Sequence, residues 1–545
     1  MTFKKHRKLV LGAVIGAAAW GMSSGPVYAQ DSSQGVRSQI DELKAQMARM
    51  QQVIDGLQQQ ERRNEEKANA AAQAAAHAEA TRAAPSNGPR VTESRTHRFG
   101  LSSADGANTI ELTGRLHIDT ADYFNYSPKP GMADKRLTSG INVRRARIGV
   151  TGKFMNDWQY ALIYDLGGNS DSLNLNNALA NGNSKTNTST SNSAFSGVEN
   201  ALITYNGFYN GHHTFPVAID FGVMDVPWTL QEATSSNDIL FMERSSAQVV
   251  ATAFGGGDSR TAFGVRSNDA NYFLAAYLTG PTTGALHTDG ASCIGSATAP
   301  CTLTPSGHGP QTSFLARGSY QFFLPNDIGL HIGANFADLF RPRGTANAQT
   351  ISLADRPELR VDPSQLFTTG NVPASGGTVE GVEAAASWGS AFLEGEYFHY
   401  TIDQLAAGAK TLGFNGGYVE ASYTFGGRRR YAPASGGYTG VIPDRPLSLA
   451  QGGGWGALEV TGRFSTIDLN DGATGATCGT TTPAVNFCAG SQTVYAIGLN
   501  YYPNDNMKFM LEYEHGNIYI PTVIGGPNTK GATLDAIAAR TQIMF

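Results

Sequence analysis

The sequence has no apolar run long enough to cross a bilayer as a helix. Its longest apolar stretch, residues 9–20, has about 12 residues, whereas a spanning helix needs about 20. A helical membrane protein is therefore excluded.

Positive charge is also scarce. The 545 residues carry 40 Lys and Arg against 45 Asp and Glu, for a net charge of −5. Proteins that bind nucleic acid usually show a basic footprint, so we expect no nucleic-acid partner. The first 29 residues hold four of the bases (Lys4, Lys5, Arg7, Lys8) and no acid, which leaves the remainder with 36 against 45.

The amino terminus has the pattern of a secretory signal. A basic start precedes an apolar middle, and the small-residue exit Val27-Tyr28-Ala29 predicts cleavage after Ala29. The alternative is a buried helix of a cytosolic protein. We predict residues 1–29 to be a cleaved signal peptide and the mature protein to be exported.

Cysteine is rare, with four residues in two local pairs, Cys293 with Cys301 and Cys478 with Cys488. An exported protein meets oxidising conditions, which favours two short disulfides. A zinc site is the alternative, but its ligands would be closer and would include more histidine than the flanking His287 and His308. We predict no metal site and no cofactor.

A heptad pattern follows the signal. Val36, Ile40, Leu43, Met47, Met50, Ile54 and Leu57 are separated alternately by 4 and 3 residues. This pattern predicts a coiled-coil oligomerisation helix over residues 30–60, with a single amphipathic helix as the alternative. The heptad does not settle the number of helices. An alanine-rich, part-helical tether is predicted over 61–108.

From residue 109 the apolar pattern has a period of two, which predicts strands. The chain ends on such a segment, with Ile537, Ala539, Thr541, Ile543 and Phe545 on one face. The predicted strands span 109–119, 141–154, 157–167, 197–208, 215–224, 260–267, 271–280, 311–323, 327–337, 377–388, 391–401, 414–425, 454–467, 490–502, 507–517 and 537–545.

The connections between these strands alternate between short turns and long polar loops. Outer-membrane barrels have this arrangement, with short periplasmic turns and longer external loops. We predict an all-β fold: a 16-stranded antiparallel transmembrane β-barrel, residues 109–545, preceded by a short α-helical coiled coil. A soluble β-sandwich is the alternative. Residues 426–453 depart from the pattern, because they are long where a turn is expected and carry three arginines.

Several motifs resemble those of the phosphate-selective porin family. They are VRRARIGV at 143–150, NDWQY at 156–160, PWTL at 227–230, FMER at 241–244 and GLNYY at 498–502. The resemblance covers about residues 110–545. It implies a homotrimer of sixteen-stranded barrels, a third long loop that folds inward, and arginines along the lumen. It also favours three helices in the coiled coil.

Strand parity places candidate residues at the constriction. If apolar side chains face lipid, Arg115, Arg145, Arg147, Arg463 and Arg540 face the lumen, while Arg144 has the opposite parity. The third loop, 225–247, is acidic and would set carboxylates across from this arginine wall, creating a transverse field. Ordinary solvated lumen charges are the alternative. The predicted constriction residues are Arg115, Arg144, Arg145, Arg147, Arg244, Arg463, Arg540, Ser235, Ser236, Asp238 and Glu243.

These features predict a bacterial outer-membrane pore for passive diffusion of small polar solutes and inorganic ions. Because the inserted loop has no lysine and lumen acids nearly balance the bases, at most a modest anion or phosphate preference is expected. No Ser-His-Asp grouping stands out, so we predict no catalytic residues. The alternative role is an anchor that ties the outer membrane to the cell wall. The expected partners are outer-membrane lipid, lipopolysaccharide, other copies of the chain in a homotrimer, and peptidoglycan.

Overall fold

The computed structural model of the chain divides into two units, residues 1–86 and 87–545. It describes residues 88–545 except 95–98, 133–136, 168–196, 210–215, 258, 283–290, 295–301, 306–310, 345–346, 363, 450–452 and 480–482, and seven positions between 41 and 56. Those seven are helical and exposed. The predicted signal peptide and the apolar heptad positions lie outside the described residues, so both stay predictions.

Sixteen long strands form the barrel, which confirms the predicted number. They are β1 (Thr109–Pro128), β2 (Gly140–Phe154), β3 (Trp158–Asp165), β4 (Val198–Tyr205), β5 (Val217–Met224), β6 (Arg260–Asn268), β7 (Tyr272–Thr282), β8 (Thr312–Leu324), β9 (Ile328–Arg341), β10 (Val372–Trp388), β11 (Ala391–Gln404), β12 (Thr411–Phe425), β13 (Ala457–Asp471), β14 (Phe487–Asn504), β15 (Met507–Pro521) and β16 (Asn528–Met544).

Each strand pairs antiparallel with the next, and β16 pairs with β1 to close the barrel. The carboxyl-terminal residue completes this seam, because Phe545 and Gly114 exchange two backbone hydrogen bonds of 2.9 and 3.0 Å. A Cβ atom at Gly114 would meet the Phe545 ring at 2.4 Å. The terminal aromatic therefore needs a glycine opposite it.

Burial alternates along the strands, as a barrel between lipid and lumen requires. Along β11, for example, lumen-facing Glu394 and Glu396 are buried, while Leu393 and Tyr397 are exposed. Trp158, Tyr164, Tyr423 and Tyr513 are exposed, in keeping with an aromatic girdle.

Tyr502 faces inward instead. It is buried, and its hydroxyl donates to Glu459 at 2.7 Å. Among the described residues, no helix is long and apolar enough to cross a membrane.

Shorter elements complete the fold. Two strands, Arg90–Thr92 and Phe99–Ser102, pair with each other, and the second pairs with the start of β1, so the end of the predicted tether is partly strand. Two helices follow β5, α1 (Leu230–Ala233) and α2 (Ser246–Thr252). The remaining elements are 3-10 turns Pro130–Met132 and Gly207–Tyr209 and strands Ala291–Ile294, Thr302–Pro305, Thr350–Ile351, Ala354–Asp355, Phe367–Thr368, Gly427–Arg428, Tyr431–Ala432, Gly437–Tyr438 and Ile442–Pro443.

Within the part of the chain that the structure describes, three segments fold into the barrel. Loop 3 (225–259) and loop 5 (342–371) enter from the end with long loops. The third, which we call the inner hairpin (426–446), enters from the end with short turns. Its paired strands explain the unusually long connection in the sequence, which is a folded insertion between β12 and β13.

Part of the lumen is apolar, contrary to the simple expectation of a polar interior. Tyr400, Phe414 and Ile467 face inward from β11, β12 and β13 and pack in one buried cluster with Val250 of α2 and Phe254. The cluster continues into loop 5 through Leu353, Leu359 and Phe367. Apolar side chains therefore fill the interior beside these strands.

The disulfide between Cys478 and Cys488 is present, which confirms one predicted pair. Cys488 is the second residue of β14 rather than a loop residue. Cys301 lies outside the described residues, so the pairing of Cys293 with Cys301 stays a prediction.

Candidate functional site

A β-bulge turns two successive arginines toward the lumen. His117 of β1 pairs with Arg145 of β2, and the next residue, Ile118, pairs with Val143. Arg144 therefore has no partner in β1 and is the extra residue of the bulge. Both Arg144 and Arg145 are buried as a result. Strand parity alone could not place Arg144, because a bulge breaks the alternation.

Loop 3 is fastened to this arginine wall through Glu243. The Glu243 carboxylate lies 2.8 Å from Arg144, 2.7 Å from Arg540 and 3.8 Å from Arg145. Arg540 also pairs with Asp119 at 2.6 Å. The carboxylate predicted to lie across a gap from the arginines is in direct contact with them instead.

The ionisation of Glu243 follows from these contacts. Burial would raise the pKa of Glu243, but the guanidinium groups of Arg144, Arg145 and Arg540 hold that pKa well below its usual range. A carboxyl with a lowered pKa stabilises the fold above its unfolded pKa of about 4.3, and that contribution is lost as pH falls through the folded value. The attachment therefore persists at neutral and mildly acidic pH.

Other side chains of the wall hold the main chain of loop 3. Lys508 donates to the Ile239 carbonyl, Asn500 to the Leu240 carbonyl and Arg463 to the Glu243 carbonyl, each at 2.8 Å. Buried carbonyl groups need such donors, because each unpaired one costs free energy. The path of loop 3 is thus specified by residues from several strands.

The first helix of loop 3 is held at its amino end. The backbone amides of Leu230 and Gln231 donate to the Glu396 carboxylate at 2.8 and 3.0 Å. A carboxylate at a helix amino terminus satisfies otherwise unpaired amides. Arg244 braces the loop internally, donating to the Gln231 carbonyl and lying 3.4 Å from Glu232.

Loop 5 contributes a buried carboxylate behind loop 3. Glu358 pairs with Arg463 and accepts from Ser465 of β13, and it accepts the Ser246 amide of α2 at 3.2 Å. Arg463, predicted to line the pore, is therefore used to join loop 3, loop 5 and the wall.

Two buried arginines hold the inner hairpin. Arg317 of β8 pairs with Glu383 at 2.8 Å and donates to the carbonyls of Ser435 and Gly436 at 2.9 and 2.7 Å. Arg429, within the hairpin, forms a bidentate pair with Glu459 at 2.7 and 2.8 Å.

The hairpin also rests on loop 3. The Tyr438 amide donates to Thr234 at 3.2 Å, and Arg429 donates to the Asp238 carbonyl. The two intruding segments, one from each end of the barrel, therefore meet inside it.

A cavity of about 380 Å³ remains between loop 3, the inner hairpin and strands β1, β2 and β4 to β7. Met224 and Tyr277, which belong to the same apolar cluster, form part of its lining. Its lining residues are Arg115, Arg147, Glu199, Asn200, Leu202, Asp220, Met224, Asp225, Pro227, Glu232, Ala233, Ser235, Ser236, Asp238, Arg266, Tyr277, Ala432, Ala434, Ser435, Tyr438 and Thr439.

The predicted constriction residues divide into two groups. Arg115, Arg147, Ser235, Ser236 and Asp238 line the cavity. The others hold loop 3 in place and do not line it; they are Arg144, Arg145, Arg244, Arg463, Arg540 and Glu243.

Contacts at the cavity wall fix the orientation of its charged groups. Arg115 donates to Ser236 at 2.7 Å, and Arg147 pairs with Asp165 at 2.8 Å and with Glu199. The lumen acid Asp220 accepts from Arg266 at 3.0 Å. The sequence analysis did not predict that Glu199 or the inner hairpin would line the cavity. The unusual length and the three arginines of segment 426–453 were the one sign of the hairpin.

The model of the family described as "Phosphate-selective porin O and P" matches residues 110–545, which is nearly the entire barrel unit. The chain belongs to this family. Its family and fold are those of an outer-membrane channel rather than of an enzyme. The resemblance noted in the sequence is confirmed.

Two relatives show how far this porin has diverged. An uncharacterized protein of Caulobacter vibrioides is 25% identical over 525 residues, which cover 92% of this chain and 90% of the relative. Porin O of Pseudomonas aeruginosa is 24% identical over 427 residues, with coverage of 76% and 84%.

Solved structures also resemble the porin. An anion-selective porin from Comamonas acidovorans has a TM-score of 0.44 and 11% identity, covering 80% of this chain and all of that one. The trimer form of OmpT from Vibrio cholerae has a TM-score of 0.42 and 10% identity, with coverage of 81% and 100%. Within the described part of the porin, no group of three or more metal-ligating side chains is placed to hold a metal.

Replacing Glu243 by Gln should loosen loop 3. The change leaves Arg144 and Arg540 buried with less counter-charge, and breaking a buried pair costs about 3–5 kcal/mol. We expect faster limited proteolysis within loop 3 and noisier single-channel currents. The exposed Glu380→Gln variant is the matched control, and lowering pH from 7 to 5 should leave the wild type unchanged. Equal proteolysis of E243Q and E380Q would contradict the assigned role.

Replacing Arg429 by Gln should release the inner hairpin. The variant loses the bidentate pair with Glu459 and the contact with loop 3 at once. We expect a higher and more variable single-channel conductance than in the neighbouring control Arg430→Gln, because Arg430 is exposed. Identical conductance in both variants would show that the hairpin is held by other contacts.

Proposed function

We propose that this porin lets small polar solutes and inorganic ions diffuse passively across the outer membrane. The observation that carries the proposal is the cavity lined by charged side chains inside a closed barrel, next to inward-folded loops and an apolar cluster that narrow the interior. A channel selects by the width and lining of its narrowest region. The two segments that meet inside the barrel supply that region.

The largest solute that can pass is set by loop 3 and the inner hairpin, because buried ion pairs fix both segments in place. Loop 3 is tied to the wall by buried ion pairs, and the inner hairpin by Arg317 and Arg429. Neither segment has to move for a solute of amino-acid size to fit a cavity of about 380 Å³. Larger solutes are excluded while both segments stay in place.

Selectivity for anions receives less support than the sequence suggested. Arg144, Arg145, Arg463 and Arg540 are used to hold loop 3. The modest anion or phosphate preference expected from the sequence would rest on Arg115 with Ser235 and Ser236 alone, and we do not include it in the proposal.

A homotrimer is part of the proposal, and the lengths of the strands support it. Strands β3, β4 and β5 have 8 residues each, whereas β8 to β16 have 13 or more. Eight residues at about 3.3 Å, tilted by about 45°, span roughly 19 Å, less than the apolar band of about 25 Å. Other copies of the chain would cover this low arc, which carries exposed Phe221 and Phe263.

The outer membrane is the proposed location, with its lipid and lipopolysaccharide around the remaining arc. Export through a signal peptide cleaved after Ala29 belongs to the same proposal. Peptidoglycan contact by the amino-terminal region remains a prediction, because residues 30–60 carry it.

Purified protein in planar bilayers should form ohmic channels. Removing residues 429–441 should raise the single-channel conductance, since Ala432, Ala434, Ser435, Tyr438 and Thr439 line the cavity. The barrel strands are untouched by this deletion, so closure should persist and can be checked by circular dichroism. Absence of channels from correctly folded protein would overturn the proposed function.

Replacing Phe221 by Arg should weaken the trimer. An arginine on the low arc would be buried between copies without a partner, so we expect monomers on native electrophoresis. Ile497→Arg is the matched control, because Ile497 is equally exposed, at 63% against 64%, on a different arc. Monomers from both variants, or from neither, would contradict the placement of the interface.

A further inference from the structure

The charges around the cavity do not match those of an anion pore. Among the residues that the structure describes, three arginines and five carboxylates line it, a formal excess of two negative charges. The arginines are Arg115, Arg147 and Arg266; the carboxylates are Glu199, Asp220, Asp225, Glu232 and Asp238.

The next layer of charge does not reverse this excess. Asp165, behind the cavity, pairs with Arg147, and Arg244, inside loop 3, lies 3.4 Å from Glu232 and 3.9 Å from Asp225. One is negative and the other positive, so they cancel. The buried cluster beside Arg147 holds three arginines, Arg144, Arg145 and Arg540, against two carboxylates, Glu243 and Asp119, which reduces the negative excess to one charge. The inner hairpin lines the cavity with uncharged side chains only, from Ala432 to Thr439.

The negative groups lie on both sides of the cavity. Asp225, Glu232 and Asp238 belong to loop 3, while Glu199 and Asp220 belong to β4 and β5 on the facing wall. In contrast, two of the three arginines are turned toward wall carboxylates: Arg147 pairs with Glu199, and Arg266 donates to Asp220 at 3.0 Å. Glu199, Asp220 and Glu232 are buried, as is Arg147, whereas Asp225, Asp238, Arg115 and Arg266 are only partly buried. The partly buried charges balance, so the negative excess lies in the buried groups and acts on a solute through their field.

We infer that this passage prefers cations, and that the solutes it admits best are small organic cations bearing an amine or a guanidinium group. The inference rests on the proposed pore function and names its substrate class. A narrow space with poorly polarisable walls strengthens the field of fixed charges and raises the local concentration of ions of opposite sign. Amines and guanidinium groups can also donate several hydrogen bonds to carboxylates, which an inorganic cation cannot do.

The test is the reversal potential in planar bilayers. In a tenfold potassium chloride gradient, we expect a reversal potential whose sign shows that K⁺ is more permeant than Cl⁻. The shift should be larger at 0.1 M than at 1 M mean salt, because the Debye length falls from about 10 to 3 Å. With arginine hydrochloride and sodium glutamate gradients, the organic cation should permeate and glutamate should lag behind chloride.

Variants that remove negative charge and variants that remove positive charge should shift the reversal potential in opposite directions, which a general disturbance of the fold would not do. The double change Asp225→Asn and Asp238→Asn should move the reversal potential toward anion preference, and Arg115→Gln should move it toward stronger cation preference. Glu380→Gln, exposed on the outside of β10, is the control and should change nothing. If the double variant does not insert into the bilayer, the reversal potential of Arg115→Gln alone tests the inference.

The outcomes distinguish the two proposals. Channels with anion preference, or a reversal potential that ignores these variants, would overturn the inference and leave the pore standing. Absence of any channel would instead overturn the pore function on which the inference rests.

Discussion

The contact between Glu243 and the arginines around it determines the shape of the pore. Three guanidinium groups, those of Arg144, Arg145 and Arg540, lie buried beside two carboxylates, Glu243 and Asp119. Buried charges are costly unless paired, so this wall is stable only with loop 3 pressed against it. Once residues 239–243 are fixed there, the rest of loop 3 has to cross the lumen. Every other contact at the constriction depends on that crossing.

The inner hairpin depends on loop 3 in turn. Its tip is held from the wall by Arg317, but its flank contacts loop 3 at Thr234 and Asp238. A segment inserted from one end of the barrel thus meets a segment inserted from the other. Apolar packing around Phe254 and Tyr400 fills the space on one side. The cavity that remains lies against β1, β2 and β4 to β7.

The sequence predicted the barrel well because its evidence is local. A period of two, interrupted by alternately short and long connections, located all sixteen strands, and parity correctly turned Arg145, Arg147, Arg463 and Arg540 inward. The sequence did not predict features that depend on contacts between residues far apart in the chain. The bulge that admits Arg144 is a register event between two strands, and Arg144 lies 99 residues from Glu243. The length and the three arginines of segment 426–453 mark it as unusual, but the direction in which it folds depends on distant partners such as Arg317 and Glu459.

This separation of roles among arginines bears on how ion preference is inferred. Strand parity predicts which arginines point into the barrel, but only those that also line the open cavity can act on a passing ion. Of the arginines predicted to face the lumen, Arg145, Arg463 and Arg540 do not line it. The buried arginines hold the loops in place, whereas Arg115 and the carboxylates of loop 3, β4 and β5 set the charge that a solute meets. Family membership goes with the barrel fold. Because a few carboxylates at the cavity decide the sign of its field, members that share the fold can differ in the ions they pass.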